Sequence, residues 1–362
     1  MQNRIELTIG TYTHGPDPAR GIVRAWVAPD GSRAQALGVT AFPDPSWIVR
    51  SADGKFVYAV SEAEEGQAAA FAVTDSAEGI VGGGAELQPL DSALPTGGSE
   101  PCHATLVADG AYLAIANYSD THDAGSVAIH PIGADGSLGE RAWLESHTGS
   151  GPHADRQTGP HAHMVTEDPA GRFLLAADLG TDSIYTYEVD ASNGRLSQAA
   201  RTQFRPGFGP RHFVFHPDGQ LAYVVGELGC VVATCAYDAA TGELRQLTET
   251  PLLEDFITGE DLPSSIRVSP GGRFLYTAIR GRNTICVLAL GADPAKPELI
   301  ARVPTEGDWP RDIALSPDGS LLLCANQSSG SVIVFRIDPE SGLPTPTGAE
   351  LAVPAPACLV MS

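Results

Sequence analysis

One phrase recurs along the chain and limits what it can fold into: a proline-led polar start, alternating apolar residues, a D-G-type turn, then a second apolar run. It reads PSWIVRSADGKFVYAVSE from Pro45, PCHATLVADGAYLAIAN from Pro101 and PHAHMVTEDPAGRFLLAAD from Pro160. It returns as PRHFVFHPDGQLAYVVGE from Pro210, PSSIRVSPGGRFLYTAIR from Pro263 and PRDIALSPDGSLLLCAN from Pro310. The turn glycines Gly54, Gly110, Gly171, Gly219, Gly272 and Gly319 are separated by 56, 61, 48, 53 and 47 residues. Periods of this length mark stacked repeats.

Within each repeat two strands flank the turn, because D-G or G-G between alternating apolar runs favours a tight hairpin. A second hairpin follows, as in SVAIHPIGADGSLGE, SIYTYEVDASNGRLSQ, VATCAYDAATGELRQ and SVIVFRIDPESGLPT, which gives about four strands per repeat. The fold class is therefore all-β, a β-propeller of four-stranded antiparallel blades. Six full repeats leave the two ends, and these complement each other. PAPACLVM near the carboxyl end resembles the first strand of the phrase, and IELTIGTYT near the amino end resembles its second. Pairing them makes a seventh blade and removes two exposed sheet edges, so residues 1–362 are expected to form one domain. The glycine-rich GIVGGG at 79–84 reads as an exposed turn.

The formal net charge of −22 argues against nucleic-acid and anionic-membrane partners, which require clustered positive charge. Only Lys55 and Lys296 are lysines, so almost every cation is an arginine. The start MQNRIELTIG lacks a signal-like apolar run, and no stretch approaches the length of a membrane span, so a cytoplasmic protein is expected. Six scattered cysteines without a Cys-x-x-Cys read as reduced core residues.

In a propeller the loops flanking each inner strand gather at one mouth of the central channel. The positions leading into those strands hold Trp47, His103, His161 with His163, Arg211 with His212, and Arg311; those leaving the second strands hold Glu62, Asn117, Asp178, Glu227, Arg280 and Asn326. Unlike polar residues at equivalent positions are the signature of a site on a symmetric scaffold. The loop GPHADRQTGPHAH (151–163) feeds one inner strand. His153, His161 and His163 could supply metal ligands, but no H-E-x-x-H or carboxylate triplet accompanies them, and neither a metal nor a cofactor is expected.

RQTGPHAHMV with DLGTDSIYTYEVD, GPRHFVFHPDGQLAYVVGEL and the terminal PACLVM resemble the seven-bladed β-propeller lactonase family, and the similarity runs from IGTYT to the carboxyl end. That family includes bacterial cytoplasmic 6-phosphogluconolactonases and a fungal carboxymuconate-lactonizing enzyme. The resemblance implies His163, Arg211, Glu227 and Arg280 as catalytic residues. His161, His103, Arg267, Arg311, Asp178 and Asn326 are read as substrate-binding. One departure is Gly226, where the family's phosphogluconolactonases tend to carry asparagine before the glutamate.

The implied reaction is hydrolysis of a sugar lactone, foremost 6-phosphogluconolactone, with an anionic small-molecule substrate as the expected partner. Either Glu227 or His163 would activate water, the other serving as acid, while Arg211 and Arg280 meet the oxyanion and the anionic substituent. A muconate-type cycloisomerase and a non-catalytic binding propeller are the alternatives. Competing structural readings make Arg211 and Glu227 a bracing ion pair, His212 and His216 packed or turn-bonding residues, Trp47 and Trp309 packing, and Arg156 a local partner of Asp155. His103 and Arg267 divide evenly between site and scaffold.

Overall fold

The computed structural model describes residues 4–14, 21–74, 86–119 and 125–362. The glycine loop at 79–84 lies outside them. The described strands form seven antiparallel sheets, each with four strands in simple up-and-down order. Blade 1 comprises Trp47–Arg50, Phe56–Ser61, Gln67–Thr74 and Glu86–Pro89, with a short strand Leu94–Pro95 added at Gln67 and Ala68. Blades 2 to 6 begin with the inner strands Ser99–Val107, Ala162–Glu167, Pro210–Phe215, Leu262–Val268 and Pro310–Leu315.

Blade 7 is made from both ends of the chain. Pro356–Met361 is its inner strand and pairs with Ile5–Thr11 in the register Leu7↔Met361 and Ile9↔Leu359, followed outward by Gly21–Val27 and Ala34–Ala41. The inner strands then contact one another in sequence, blade 6 to blade 7 to blade 1, and the ring closes. The repeat spacing had predicted this architecture, and the sheets follow it.

Strand alternation explains where the core sits. Apolar residues on the two faces of each sheet meet the faces of its neighbours, and the buried hydrophobic residues fall into seven clusters, one for each blade interface. Leu321, Leu323 and Val334 of blade 6 pack on Leu7, Val23 and Val27 of blade 7, for example. The hydrophobic driving force is thus satisfied between blades, leaving the axis free for polar side chains. The six turn glycines adopt φ between 66° and 82°, the left-handed region that a side chain disfavours. All six cysteines are free and buried. Among the described residues no helix is long and apolar enough to cross a membrane.

Candidate active site

The inner strands carry a shared irregularity that builds the site. In blades 2 to 7 the pairing between inner and second strand shifts near the channel end. Pro101 pairs with Asn117 and His103 with Ala116, so Cys102 is extra; Ala162 and Met164 pair with Asp178 and Ala177, so His163 is extra. Arg311 is likewise extra between Pro310 and Asp312, and Arg211 lies in the same shift on blade 4. A bulge re-aims the unpaired residue out of the ladder. These residues stand eight positions before their turn glycines, as do Ser46 and Ser264.

The second strands obey a complementary rule. Seven residues after the turn glycine stand Ser61, Asn117, Asp178, Gly226, Ile279 and Asn326; eight after stand Glu62, Tyr118, Leu179, Glu227, Arg280 and Gln327. Adjacent strand residues point to opposite sides. The first set is enclosed in the blades: Ser61, Asn117, Asp178, Ile279 and Asn326 are at most 2% exposed, and Gly226 is buried. The second set stands at or beside the end of the strand and supplies Glu62, Tyr118, Glu227 and Arg280 to the polar clusters, with Tyr12 in the equivalent place on blade 7.

Glu227 is the centre of the densest charge cluster. Its Oε2 lies 2.5 Å from Arg280 Nη2 and 3.0 Å from Arg211 Nε, and its Oε1 accepts a 2.6 Å hydrogen bond from Arg156 Nη2. The Arg211 contact is an ion pair whose N–H is not aligned for a hydrogen bond. Burial alone would raise the Glu227 pKa, but the guanidiniums of Arg280, Arg156 and Arg211 prevail and hold it at about 2. Arg211, 2% exposed, is also shifted downward: burial and Arg280 lower its pKa.

Arg156 comes from the histidine-rich loop and corrects the expectation that it pairs with Asp155. Gln157 is buried and its side-chain amide donates to Leu179 O and Asp182 Oδ1, both at 2.8 Å, while the Arg156 and Gln157 amides close a turn onto His153 O. The anchored loop extends Arg156 across to Glu227 and to the Tyr118 hydroxyl, 3.2 Å away.

A second cluster occupies blades 6, 7 and 1. Glu62 accepts 2.8 Å from the Tyr12 hydroxyl and 3.4 Å from Arg311, whose guanidinium also lies 4.9 Å from the Tyr12 ring centre. Between the clusters is a narrow cavity of about 10 Å³, room for roughly one water, walled by Glu62, Cys102, His163, Arg211, His212, Arg311 and the Trp47 ring. The His163 ring meets Tyr118 and His212 edge-on, with centres 5.4 and 5.2 Å apart, and its Nδ1 is 3.8 Å from Cys102 Sγ. Burial, reinforced by Arg211, keeps the His163 and His212 pKa values well below the usual histidine value, so both imidazoles are neutral at pH 7. His103 stacks on Trp47 at 3.9 Å and meets His212 edge-on at 5.3 Å.

The four residues implied as catalytic, together with Arg311, are therefore assembled at one place. Others read as substrate-binding are not. Asp178 is fully buried and its oxygens accept from His147 Nδ1 and from the amides of His161 and Thr181. Asn326, also fully buried, donates to Thr305 O. Both stand seven residues after the turn glycine, where the pleat turns a side chain into the blade. Arg267 braces blade 5 to blade 6 through Asp312 at 2.9 Å. His161 bonds Tyr118 O and stacks on the Tyr118 ring, reaching the site only through that tyrosine.

Other expectations resolve similarly. His216 is turn-bonding, contacting Gly272 O and Asp218, whereas His212 is a cavity residue. Cys102 is buried as expected, yet it lines the cavity. Gly226 is explained by packing, since a Cβ there would lie 2.8 Å from Phe208 O and 2.9 Å from its ring. No three His, Cys, Asp or Glu side chains among the described residues converge as metal ligands. The sequence reading missed Arg156, Tyr12 and Tyr118; counting eight residues from each turn glycine would have found Tyr118.

Fold and site together define a closed seven-bladed β-propeller with a confined, charged candidate site near its axis. Comparison with known proteins agrees: the family described as lactonase, 7-bladed β-propeller, matches residues 6–361. The 6-phosphogluconolactonase of Bacillus subtilis (strain 168) is 31% identical over 97% of this chain and 96% of its own. That of Formosa agariphila is 31% identical over 98% of each. The structure of the Pseudomonas aeruginosa periplasmic gluconolactonase superposes with a TM-score of 0.90 at 33% identity over 99% of both chains. The chain belongs to the family of seven-bladed β-propeller lactonases.

Proposed function

We propose that the protein hydrolyses an anionic sugar lactone, with 6-phosphogluconolactone the leading substrate, by general acid–base catalysis that needs no metal. The observation that carries this reading is charge. Among the described residues, the four guanidiniums of Arg156, Arg211, Arg280 and Arg311 meet two carboxylates, those of Glu227 and Glu62. The site thus has a cationic surplus in a protein of net charge −22, and such a focus attracts an anion to one place. Two relatives named 6-phosphogluconolactonase support the phosphorylated substrate.

The chemistry follows from which groups can take a proton. Glu227, held at about 2, is deprotonated at pH 7 and has both oxygens engaged by three arginines, so it suits a fixed counter-charge that orients them. His163 is neutral and lies beside Arg211 in the cavity wall. In the proposed sequence water attacks the lactone carbonyl while His163 accepts its proton. The carbonyl oxygen becomes anionic against Arg211, with Arg280 and Arg311 available to the phosphate. The ring C–O bond then breaks, and the departing oxygen takes the proton back from His163. We place the reaction in the cytoplasm, a reducing compartment in which the free thiols persist.

A second reading is an unphosphorylated gluconolactone, favoured by the Pseudomonas neighbour named as a gluconolactonase. The deciding experiment follows acid release from freshly made 6-phosphogluconolactone and from gluconolactone, above the spontaneous rate, with and without EDTA. Faster turnover of the phosphorylated lactone, unchanged by EDTA and reduced to background in His163→Gln, supports the proposal. Equal rates on both lactones favour the second reading, and loss of activity with EDTA overturns the metal-free mechanism.

A further inference from the structure

His212 has no part in the mechanism above, yet its environment is unusual. It is 2% exposed, and neither ring nitrogen has a hydrogen-bond partner among the described residues. Nη1 of Arg211, the adjacent residue, is buried and unpartnered as well. Buried polar atoms are paired in the great majority of cases, so orphaned atoms on two neighbouring residues call for a ligand. Both residues line the cavity of about 10 Å³, whose space matches one water and whose wall offers the two to four polar partners a water requires.

The rings around His212 fix its orientation. It is held edge-on by Trp47, His103 and His163 at centre distances of 5.5, 5.3 and 5.2 Å. Trp47 is tied in turn, donating from Nε1 to Ala104 O at 3.1 Å. A side chain clamped on three sides with free nitrogens can hold a small molecule in a fixed position, and the cavity is far too small for a sugar.

We infer that this cavity is the seat of the hydrolytic water and that His212, with Arg211 Nη1, holds that water beside His163. The inference rests on the lactonase reading and deepens it: the lactone approaches from the mouth, while the attacking water waits in the channel beneath it. The water oxygen forms the bond to the carbonyl carbon, its proton passes to His163, and the ring C–O bond breaks. His212 touches the reacting water and is a further catalytic residue. The size of the seat also makes the protein selective for its nucleophile, admitting water and rejecting alcohols.

The test compares wild type with His212→Phe, which keeps a ring and removes both nitrogens, with His212→Gln, which restores a donor and an acceptor, and with His212→Ala, which enlarges the seat. His212→Phe is expected to lower kcat on the order of 10²-fold with little change in KM, and His212→Gln to recover most of that loss. In methanol–water mixtures wild type should yield only the acid, while His212→Ala also yields the methyl ester. A His212→Phe enzyme with wild-type kcat, or a wild type that forms ester as readily as His212→Ala, overturns the seat while leaving the lactonase reading intact. A crystal structure of wild type gives an answer independent of kinetics. Ordered water bonded to His212 and Arg211 supports the seat, and absence of density there overturns it even if wild type proves inactive on every lactone tried.

Discussion

Glu227 and Glu62 occupy the same place in their repeats, eight residues after the turn glycine, but their surroundings differ. Glu227 is 2% exposed and meets three guanidiniums, at 2.5, 2.6 and 3.0 Å. Glu62 is 16% exposed and meets one arginine at 3.4 Å and a tyrosine hydroxyl at 2.8 Å. The first carboxylate is a fixed charge around which the arginines are arranged. The second is a looser acceptor whose partner Arg311 can turn to an incoming anion at smaller cost. One repeat position therefore yields a rigid wall and an adaptable wall, according to the neighbours the ring brings to it.

The largest expected effect would break this contrast. Glu227→Gln leaves three guanidiniums without their counter-charge and should lower unfolding stability by about 3–5 kcal/mol, whereas Glu62→Gln keeps an acceptor for Arg311 and Tyr12 and should cost about 0.5–1.5 kcal/mol. Urea denaturation of both variants checks the difference; equal losses would mean the walls are equivalent. The same contrast has a pH signature. Glu227 titrates at about 2 in the fold against about 4.3 unfolded, so the stability it contributes is complete above pH 4.3 and is lost as the pH falls towards 2. Glu227→Gln should lose less stability across that window than wild type does.

Kinetics sharpen the comparison. Arg211 stands against Glu227 and also lines the cavity, so Arg211→Ala should lower kcat about 10²–10³-fold. Arg156 reaches the cluster from the surface, its side chain 30% exposed, and Arg156→Ala should lower kcat/KM by only about tenfold. The smallest effect is an absence. Because burial and Arg211 lower the His163 pKa well below 6.5, the neutral base persists as the pH falls through that value, and kcat/KM should stay flat between about pH 8 and 6. An inflection at the ordinary histidine value would place the base elsewhere.

Much of the fold could be read directly. Turn glycines, alternation and complementary chain ends predicted seven four-stranded blades and the pairing of Ile5–Thr11 with Pro356–Met361. The candidate catalytic set was named by resemblance and by position, and the structure brings His163, Arg211, Glu227 and Arg280 together. Asp178 and Asn326 were misjudged because a one-residue offset along a strand exchanges blade interior for channel. Arg156 escaped because a long loop has no period, and its direction depends on where Gln157 is anchored.

The sequence by itself determined the number of blades, their strand order and the acidic, arginine-bearing composition, because these depend on local turn chemistry and on a periodicity that repeats along the chain. Only the tertiary structure decided which polar residues face the axis, which carboxylate is locked, and which histidine is left with free nitrogens. Those outcomes depend on bulges that turn single residues out of the ladder, and on ring closure that sets blades 6 and 1 on the two sides of the blade made from both ends of the chain.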